Sequence, residues 1–205
     1  MSAEITSGTE REHRRRTWSR TGLPIVVGLL SLIACLVPGG AAAALPKASS
    51  TLIEPGKSIG GVALGASPTS VTKAWGPGCA ETSCTYSAAS KTGQSPALAL
   101  VGFEKTGSKF AAWEMSITVG SIISGAKPTP EFDTPLADFK TSKGIGLGST
   151  ATELKRAYHA AKKQIDTDNG IAIYTLKGKG EITTNFTVGT AGKITTISIQ
   201  AHPGG

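Results

Sequence analysis

Hydrophobic and polar residues alternate along five stretches of the chain, which is the pattern of β-strands that bury one face. In the clearest stretch, Ile182, Phe186 and Val188 alternate with threonine and asparagine, as in a sheet with one packed and one solvated face. The five predicted strands span residues 97–103, 110–119, 171–177, 182–188 and 194–200.

A helical period replaces the alternation ahead of the first pair of strands. Ser67 is a favourable N-cap, and Pro68 suits the first helical position. Val71 and Trp75 then lie on one apolar stripe. These features predict a short helix that ends at the Gly-Pro-Gly of residues 76–78.

A second helix is predicted ahead of the last three strands. Thr150 and Glu153 have the spacing of a capping box. Leu154, Tyr158 and Ala161 follow at helical spacing, so the apolar stripe is expected to continue to residue 161.

The two helix starts belong to an internal repeat. Residues 61–75 match residues 144–158 at an offset of 83 positions, and both segments carry Gly-x-x-Leu-Gly ahead of the helix. The repeat predicts an α+β fold with a tandem duplicated module, each copy an N-terminal helix packed on a small antiparallel β-sheet, behind a signal peptide. The residues expected to mark the module core are Gly65, Val71, Trp75, Trp113, Gly148, Leu154, Tyr158 and Ile197.

The first 44 residues have the features of an export signal. Five arginines precede an apolar stretch at residues 25–37, and a Pro-Gly-Gly break leads into four alanines that suit signal-peptidase cleavage. Two alternatives stay open: a retained membrane anchor, because residues 23–45 are about long enough to span a bilayer, and lipidation at Cys35, which ends a lipobox-like Leu-Ile-Ala-Cys. The protein is thus expected to be secreted or extracytoplasmic, or to be anchored to the membrane by this segment.

The remaining chain divides into residues 45–119 as module 1, 120–134 as a glycine- and proline-containing linker, and 135–202 as module 2. Once Cys35 is assigned to the leader, Cys79 and Cys84 are the only other cysteines. In an oxidising compartment they are expected to form a disulfide, because their spacing does not match a metal or redox motif.

Charge excludes one class of partner. The chain has 21 basic and 14 acidic residues, and 16 and 11 of them remain after the leader. Only Arg156 among those 16 is an arginine, whereas bidentate recognition of phosphates or bases normally relies on arginine. Nucleic acid is therefore not an expected partner. Lys155, Arg156, Lys162 and Lys163 are interpreted as the solvated face of the second helix.

The sequence offers little catalytic chemistry. His159 and His202 have no nucleophile, carboxylate pair or metal-ligand spacing beside them. The acidic segment at residues 166–170 lacks the calcium-loop spacing, since Lys177 stands at the twelfth position, and is interpreted as a turn. Residues 144–148 lack the Gly-Lys-Ser/Thr ending of a phosphate loop. No catalytic, cofactor-binding or metal-binding residue is predicted.

The first repeat resembles a known family. The run Leu-Gly-Ala-Ser-Pro-Thr-Ser-Val at residues 64–71, Trp75-Gly76, and the pair Cys79 and Cys84 resemble the secreted β-lactamase-inhibitory protein family and related outer-membrane assembly lipoproteins. The resemblance implies helices packed on antiparallel strands, with an exposed sheet surface that grips a protein partner. Inhibition of β-lactamases is not expected, because the chain has few of the aromatics that such a surface uses.

The expected function is therefore that of an exported, non-enzymatic protein-binding module whose partner is an extracellular or envelope protein. The first alternative is an envelope-tethered structural or assembly lipoprotein, which modification of Cys35 would decide. A small secreted hydrolase is the second alternative, because His159 could converge with a carboxylate in the fold.

Overall fold

The structure is a computed structural model that describes residues 44–88, 97–120, 132–166 and 170–201. The export signal, Cys35 and His202 lie outside the described residues, as do most of the predicted linker and the middle of the predicted turn at residues 166–170.

The described residues form two short α-helices, one 3₁₀ turn and eleven strands. The helices are α1 (Pro68–Trp75) and α2 (Ala151–Ala157), and the 3₁₀ turn is Pro135–Asp138. The strands are β1 (Leu52–Glu54), β2 (Ser58–Ile59), β3 (Val62–Ala63), β4 (Ser83–Ala88), β5 (Ala97–Thr106), β6 (Lys109–Val119), β7 (Lys140–Thr141), β8 (Lys162–Asp166), β9 (Ile171–Lys177), β10 (Ile182–Val188) and β11 (Ile194–Ala201).

Seven of these strands form one antiparallel sheet in the order β4-β5-β6-β11-β10-β9-β8. The two halves of the chain meet where β6 pairs with β11, with Ile117 opposite Ile197. A second sheet has the order β3-β2-β1-β7, and its β1 and β7 are parallel.

The predicted α+β fold of two tandem helix-on-sheet modules is wrong, because the structure is mostly β and its strands do not divide into two small sheets. Separate sheets would leave β6 and β11 with unpaired backbone edges, and their mutual pairing satisfies these hydrogen bonds. The repeat correctly located both helix starts, but it carried no information on which strand of the first repeat pairs with which strand of the second.

The core joins the seven-stranded sheet to the two helices and to buried residues of the small sheet, such as Ile53 and Ile59. One row of the sheet aligns Tyr86, Ala99, Ile117, Ile197 and Phe186 across five neighbouring strands, and all five side chains are buried. Both helices cover this face, which we call the helical face.

Aromatic contacts join the helices to the helical face. The ring of Trp75 meets the ring of Tyr86 edge-on at 5.7 Å, and the ring of Tyr158 stacks on that of Phe186 at 5.9 Å. Trp75 is buried, whereas Tyr158 is half-buried because it follows the last residue of α2.

The other expected core residues have different surroundings. Val71, Leu154 and Ile197 are fully buried. Gly65 and Gly148 adopt φ angles of +81° and +83° directly ahead of the helices, a conformation that favours glycine. Their N–H groups donate to the carbonyl oxygens of Ala112 (2.7 Å) and Ile194 (2.9 Å).

Trp113 does not share the face of Met115 that alternation predicts. Gly102 pairs with Glu114 and Phe103 pairs with Ala112, so Trp113 is an extra residue in a β-bulge. Its indole is half-buried against Gly102, on the face opposite the helices.

A candidate interaction edge at strand β8

Strand β8 is one edge of the seven-stranded sheet. It pairs on one side with β9, where Lys163 lies opposite Tyr174 and Ile165 opposite Ala172. Within the part of the chain that the structure describes, no backbone hydrogen bond joins Lys162–Ile165 to any segment other than β9. On its other side β8 presents N–H and C=O groups that pair with no other described segment, and such groups can template the addition of another strand.

The end of α2 determines where β8 begins. The N–H of Tyr158 makes the last helical bond, to the carbonyl oxygen of Leu154 at 2.8 Å, and the N–H of Ala161 then donates to the carbonyl of Tyr158 at 3.0 Å. Lys155 Nζ holds this turn by donating to the carbonyl oxygens of His159 (3.3 Å) and Ala161 (3.1 Å). Ala161 is buried, and the chain becomes extended at the next residue.

The two faces of β8 differ in chemistry. Lys163 and Ile165 lie on the helical face, with Lys163 Nζ 6.0 Å from the centre of the Tyr174 ring. Lys162, Gln164 and Asp166 lie on the opposite face. Ile165 is 58% exposed, and the only other large exposed hydrophobic residue in the described ranges is Leu52, at 43%.

The opposite edge of the sheet, β4, is partly covered. The N–H of Thr85 donates to the carbonyl oxygen of Gly78 at 3.0 Å, and the N–H of Ala80 donates to that of Ser83 at 2.7 Å. The predicted disulfide between Cys79 and Cys84 is confirmed, and it ties this covering segment to β4. Among the described residues, a segment outside the sheet thus covers part of β4, and none covers β8.

The disulfide region also contacts the core. The hydroxyl of Tyr86 donates to the carbonyl oxygen of Gly76 at 2.8 Å and lies 3.8 Å from Cys79 Sγ. Burial raises the pKa of Tyr86 above its ordinary value, which extends into more alkaline solution the range in which this hydroxyl is a protonated donor.

Reduction of the disulfide is expected to lower the melting temperature without unfolding the chain. The loop it closes spans a sequence separation of five residues, so the entropic stabilisation is about 2 kcal/mol. Thermal melts with and without reductant measure the change. The matched control is the double variant with Cys79→Ser and Cys84→Ser, which should melt at the lower temperature whether or not reductant is present. An equal melting temperature for the reduced and oxidised protein would contradict this expectation.

A cavity beside α2 has a volume of about 300 Å³ and opens to solvent. Lys143, Ser149, Glu153 and Arg156 contribute polar groups to its wall. Glu153 already caps the helix, since its carboxylate accepts from the N–H of Thr150 at 2.7 Å, and this hydrogen bond lowers the pKa of Glu153. Lys143 Nζ donates to the carbonyl of Ala157 at 2.7 Å, so two of the four polar groups are engaged in holding α2.

The sequence-predicted basic cluster is divided between two elements. Lys155 and Arg156 lie on α2 as expected, whereas Lys162 and Lys163 lie on β8 and not on a helix face. His159 is exposed in the turn between them. In the described ranges no three His, Cys, Asp or Glu residues come together as a metal-binding group.

Sequence reasoning missed β8 because Leu154, Tyr158 and Ala161 have helical spacing, which predicts an apolar stripe to Ala161, whereas α2 ends at Ala157. A signal was present: only residues 162–165 separate Ala161 from the predicted turn at residues 166–170, and the predicted strand at residues 171–177 follows that turn. Strand, turn and strand in that order predict a hairpin.

Known proteins resemble the chain only distantly. No protein-family model matches it, and no curated protein matches it. Among solved structures, it is similar to a DUF4309 family protein (YjgB) from Bacillus subtilis, with 14% sequence identity and a TM-score of 0.37 over 67% of this chain and 79% of that one. Neither described helix is long and apolar enough to cross a lipid bilayer.

Proposed function

We propose that this chain is a non-enzymatic protein-binding module that acts outside the cytoplasmic membrane, and that it binds its partner along the free edge of β8. The observation that carries the proposal is the exposure of this edge: Lys162, Lys163, Gln164 and Ile165 are all exposed, and their outward backbone groups have no partner strand in the described structure. The partner is an extracellular or envelope protein.

Strand addition suits such an edge. Main-chain hydrogen bonds to an added strand supply affinity, and side chains that alternate between the two faces supply specificity. Ile165 is the one hydrophobic side chain on β8, and on the helical face it continues the row formed by Val188 and Ala172. An added strand would cover it and extend that row by one position.

The resemblance of residues 64–84 to the β-lactamase-inhibitory protein family supports a protein-binding role, without implying the same target. In the alternative function, a tethered assembly lipoprotein, the chain would bind its partner along the same edge, and Cys35 would carry a lipid.

Capture experiments with two matched variants test the proposal. Ile165→Lys places a charge on the edge, and Leu52→Lys makes the same change at the other large exposed hydrophobic residue. Each tagged protein is incubated with a culture of the organism that encodes the chain. Quantitative mass spectrometry then measures the proteins that it retains, including untagged copies of this chain. We expect Ile165→Lys to lose at least about tenfold of the specific signal, and Leu52→Lys to match the unaltered protein. Equal retention by all three would refute binding at β8.

The processed chain is expected to begin near Leu45 and to carry no acyl group. The four alanines at residues 41–44 place small residues ahead of this position, as signal peptidase requires. N-terminal sequencing and intact mass of the protein from its own culture give the start and any lipid. A diacylglyceryl group on an N-terminal Cys35 would instead establish the tethered alternative.

A further inference from the structure

We propose that the partner of the β8 edge is β8 of a second copy of this chain, paired antiparallel about a two-fold axis at Gln164. Two seven-stranded sheets would then join edge to edge into one continuous sheet. This inference rests on the proposed function, because it names the partner of the same edge.

The charges on β8 are complementary to themselves in this register. A two-fold axis at Gln164 puts each Lys162 opposite Asp166 of the second copy, and each Lys163 opposite the second Ile165. Since every contact in a two-fold interface occurs twice, the dimer gains two cross-strand pairs of opposite charge. Both pairs form on the face opposite the helices, where Lys162 and Asp166 lie.

Neighbouring registers lack this complementarity. An axis at Lys163 would place the two Lys163 side chains opposite each other, which is destabilising. An axis at Ile165 would pair Gln164 with Asp166 and place Lys162 opposite residue 168, beyond the end of β8, so no charge pair forms within the strand. Lysines on an edge strand commonly prevent pairing with other chains. In the register centred on Gln164, each Lys162 instead lies opposite a carboxylate, that of Asp166 in the second copy, so the lysine does not prevent pairing.

The helical face of β8 favours the same axis. Lys163 and Ile165 are neighbours on this face, and both are exposed. In the dimer, Ile165 would pack against the alkyl chain of the opposite Lys163, whose charged end can still reach water. The most exposed large hydrophobic side chain of the described structure is thereby covered.

The dimer should be weak and reversible. A paired strand of five residues buries far less than the roughly 1,200 Å² at which stable interfaces begin. Dimerisation should therefore depend on protein concentration in the micromolar to millimolar range.

Exchanging the two charges tests the register. The chain is expressed with its leader, and the processed protein that accumulates is studied by sedimentation velocity over a concentration series. Lys162→Asp places its carboxylate opposite the Asp166 carboxylate of the second copy. Asp166→Lys places its ammonium group opposite the Lys162 ammonium group of the second copy. Each single variant should raise the dimer dissociation constant at least about tenfold, and the variant with both changes should return it to within about threefold of the unaltered protein. Lys109→Asp, the same charge change on an exposed hairpin, should have no effect.

A crosslink gives a second, geometric measurement. In a Cys35→Ser background, Gln164→Cys should form a disulfide-linked dimer on air oxidation, because directly opposite residues in an antiparallel pair bring their Cα atoms to about 4.5 to 5.5 Å. Lys162→Cys should not form one, because its two copies lie four positions apart along the paired strands.

The outcomes separate the inference from the proposed function. A protein that stays monomeric throughout, or a charge exchange that fails to restore dimerisation, would overturn self-pairing. If capture of a different protein still depended on Ile165 in that case, binding at β8 would stand with another partner. If Ile165→Lys changed neither self-association nor capture, both proposals would fall.

Discussion

Replacing Trp75 with alanine is expected to lower the free energy of unfolding by about 3 to 5 kcal/mol, the range for removing a large aromatic from a core. Trp75 is only 1% exposed, and its ring packs on Tyr86. Its indole N–H donates to the carbonyl oxygen of Gly60 at 3.0 Å, so truncation also leaves that buried oxygen without its donor. Urea titration followed by circular dichroism measures the change.

Tyr158→Ala is the informative comparison for Trp75→Ala. The internal repeat aligns the two aromatics and predicts equal losses, but Tyr158 is half-buried and contacts Phe186 from beyond the end of α2. We expect it to lose about 1 to 2 kcal/mol, since less apolar area leaves water. Lys109→Ala, on an exposed hairpin, should stay within about 0.5 kcal/mol of the unaltered chain. Equal losses at Trp75 and Tyr158 would contradict this difference in burial.

Local signals in the sequence predicted the helix starts and most long strands. The capping box of Thr150 and Glu153 is present with both of its hydrogen bonds, and Ser67 caps α1 as expected. The predicted strands at residues 171–177 and 182–188 coincide with β9 and β10. Each of these features depends on residues close together in the chain, so a single sequence is sufficient to find them.

Features that depend on distant residues were not predictable in the same way. The pairing of β6 with β11 joins residues about 80 positions apart, and alternation alone does not say which strand lies beside which. The sheet formed by β1, β2, β3 and β7 has strands of two or three residues, too short for a periodic signal. The bulge at Trp113 arises where the pairing between β5 and β6 shifts by one residue. The sequence alone does not show which residues of two strands pair, so this bulge could not be predicted.

At the candidate site, too, the sequence predicts features that depend on neighbouring residues and does not predict those that depend on strand pairing. The sequence places Lys162 and Lys163 in a local basic cluster, but it does not show that they lie at a sheet edge. That placement follows from the early end of α2 at Ala157 and from the pairing of β8 with β9. Once the pairing is known, the self-complementary order of Lys162 and Asp166 about Gln164 can be read directly from the sequence.

Gly60→Ala should destabilise the chain by about 2 to 5 kcal/mol, much more than the same change at its neighbour Gly61. Both glycines have positive φ, +58° and +83°, and alanine in that region costs about 1 to 2 kcal/mol. The surroundings differ: a Cβ on Gly61 would meet no atom within 4 Å, whereas one on Gly60 would overlap the ring of Phe139 and lie 2.9 Å from Trp75 Nε1. Both rings are buried and cannot move aside without disturbing the core, which adds about 1 to 3 kcal/mol.

A double-mutant cycle identifies the source of the Gly60 effect. Phe139→Leu removes the overlapping ring, so the loss caused by Gly60→Ala should be smaller in that background than in the unaltered chain, as coupling between contacting residues requires. Gly61→Ala should lose about the same in both backgrounds, because no side chain approaches it. Urea titrations of the six proteins give the two coupling energies. If Gly60→Ala and Gly61→Ala lost equal stability in the unaltered chain, backbone conformation alone would explain both, and the close approach of Phe139 and Trp75 to Gly60 would contribute nothing.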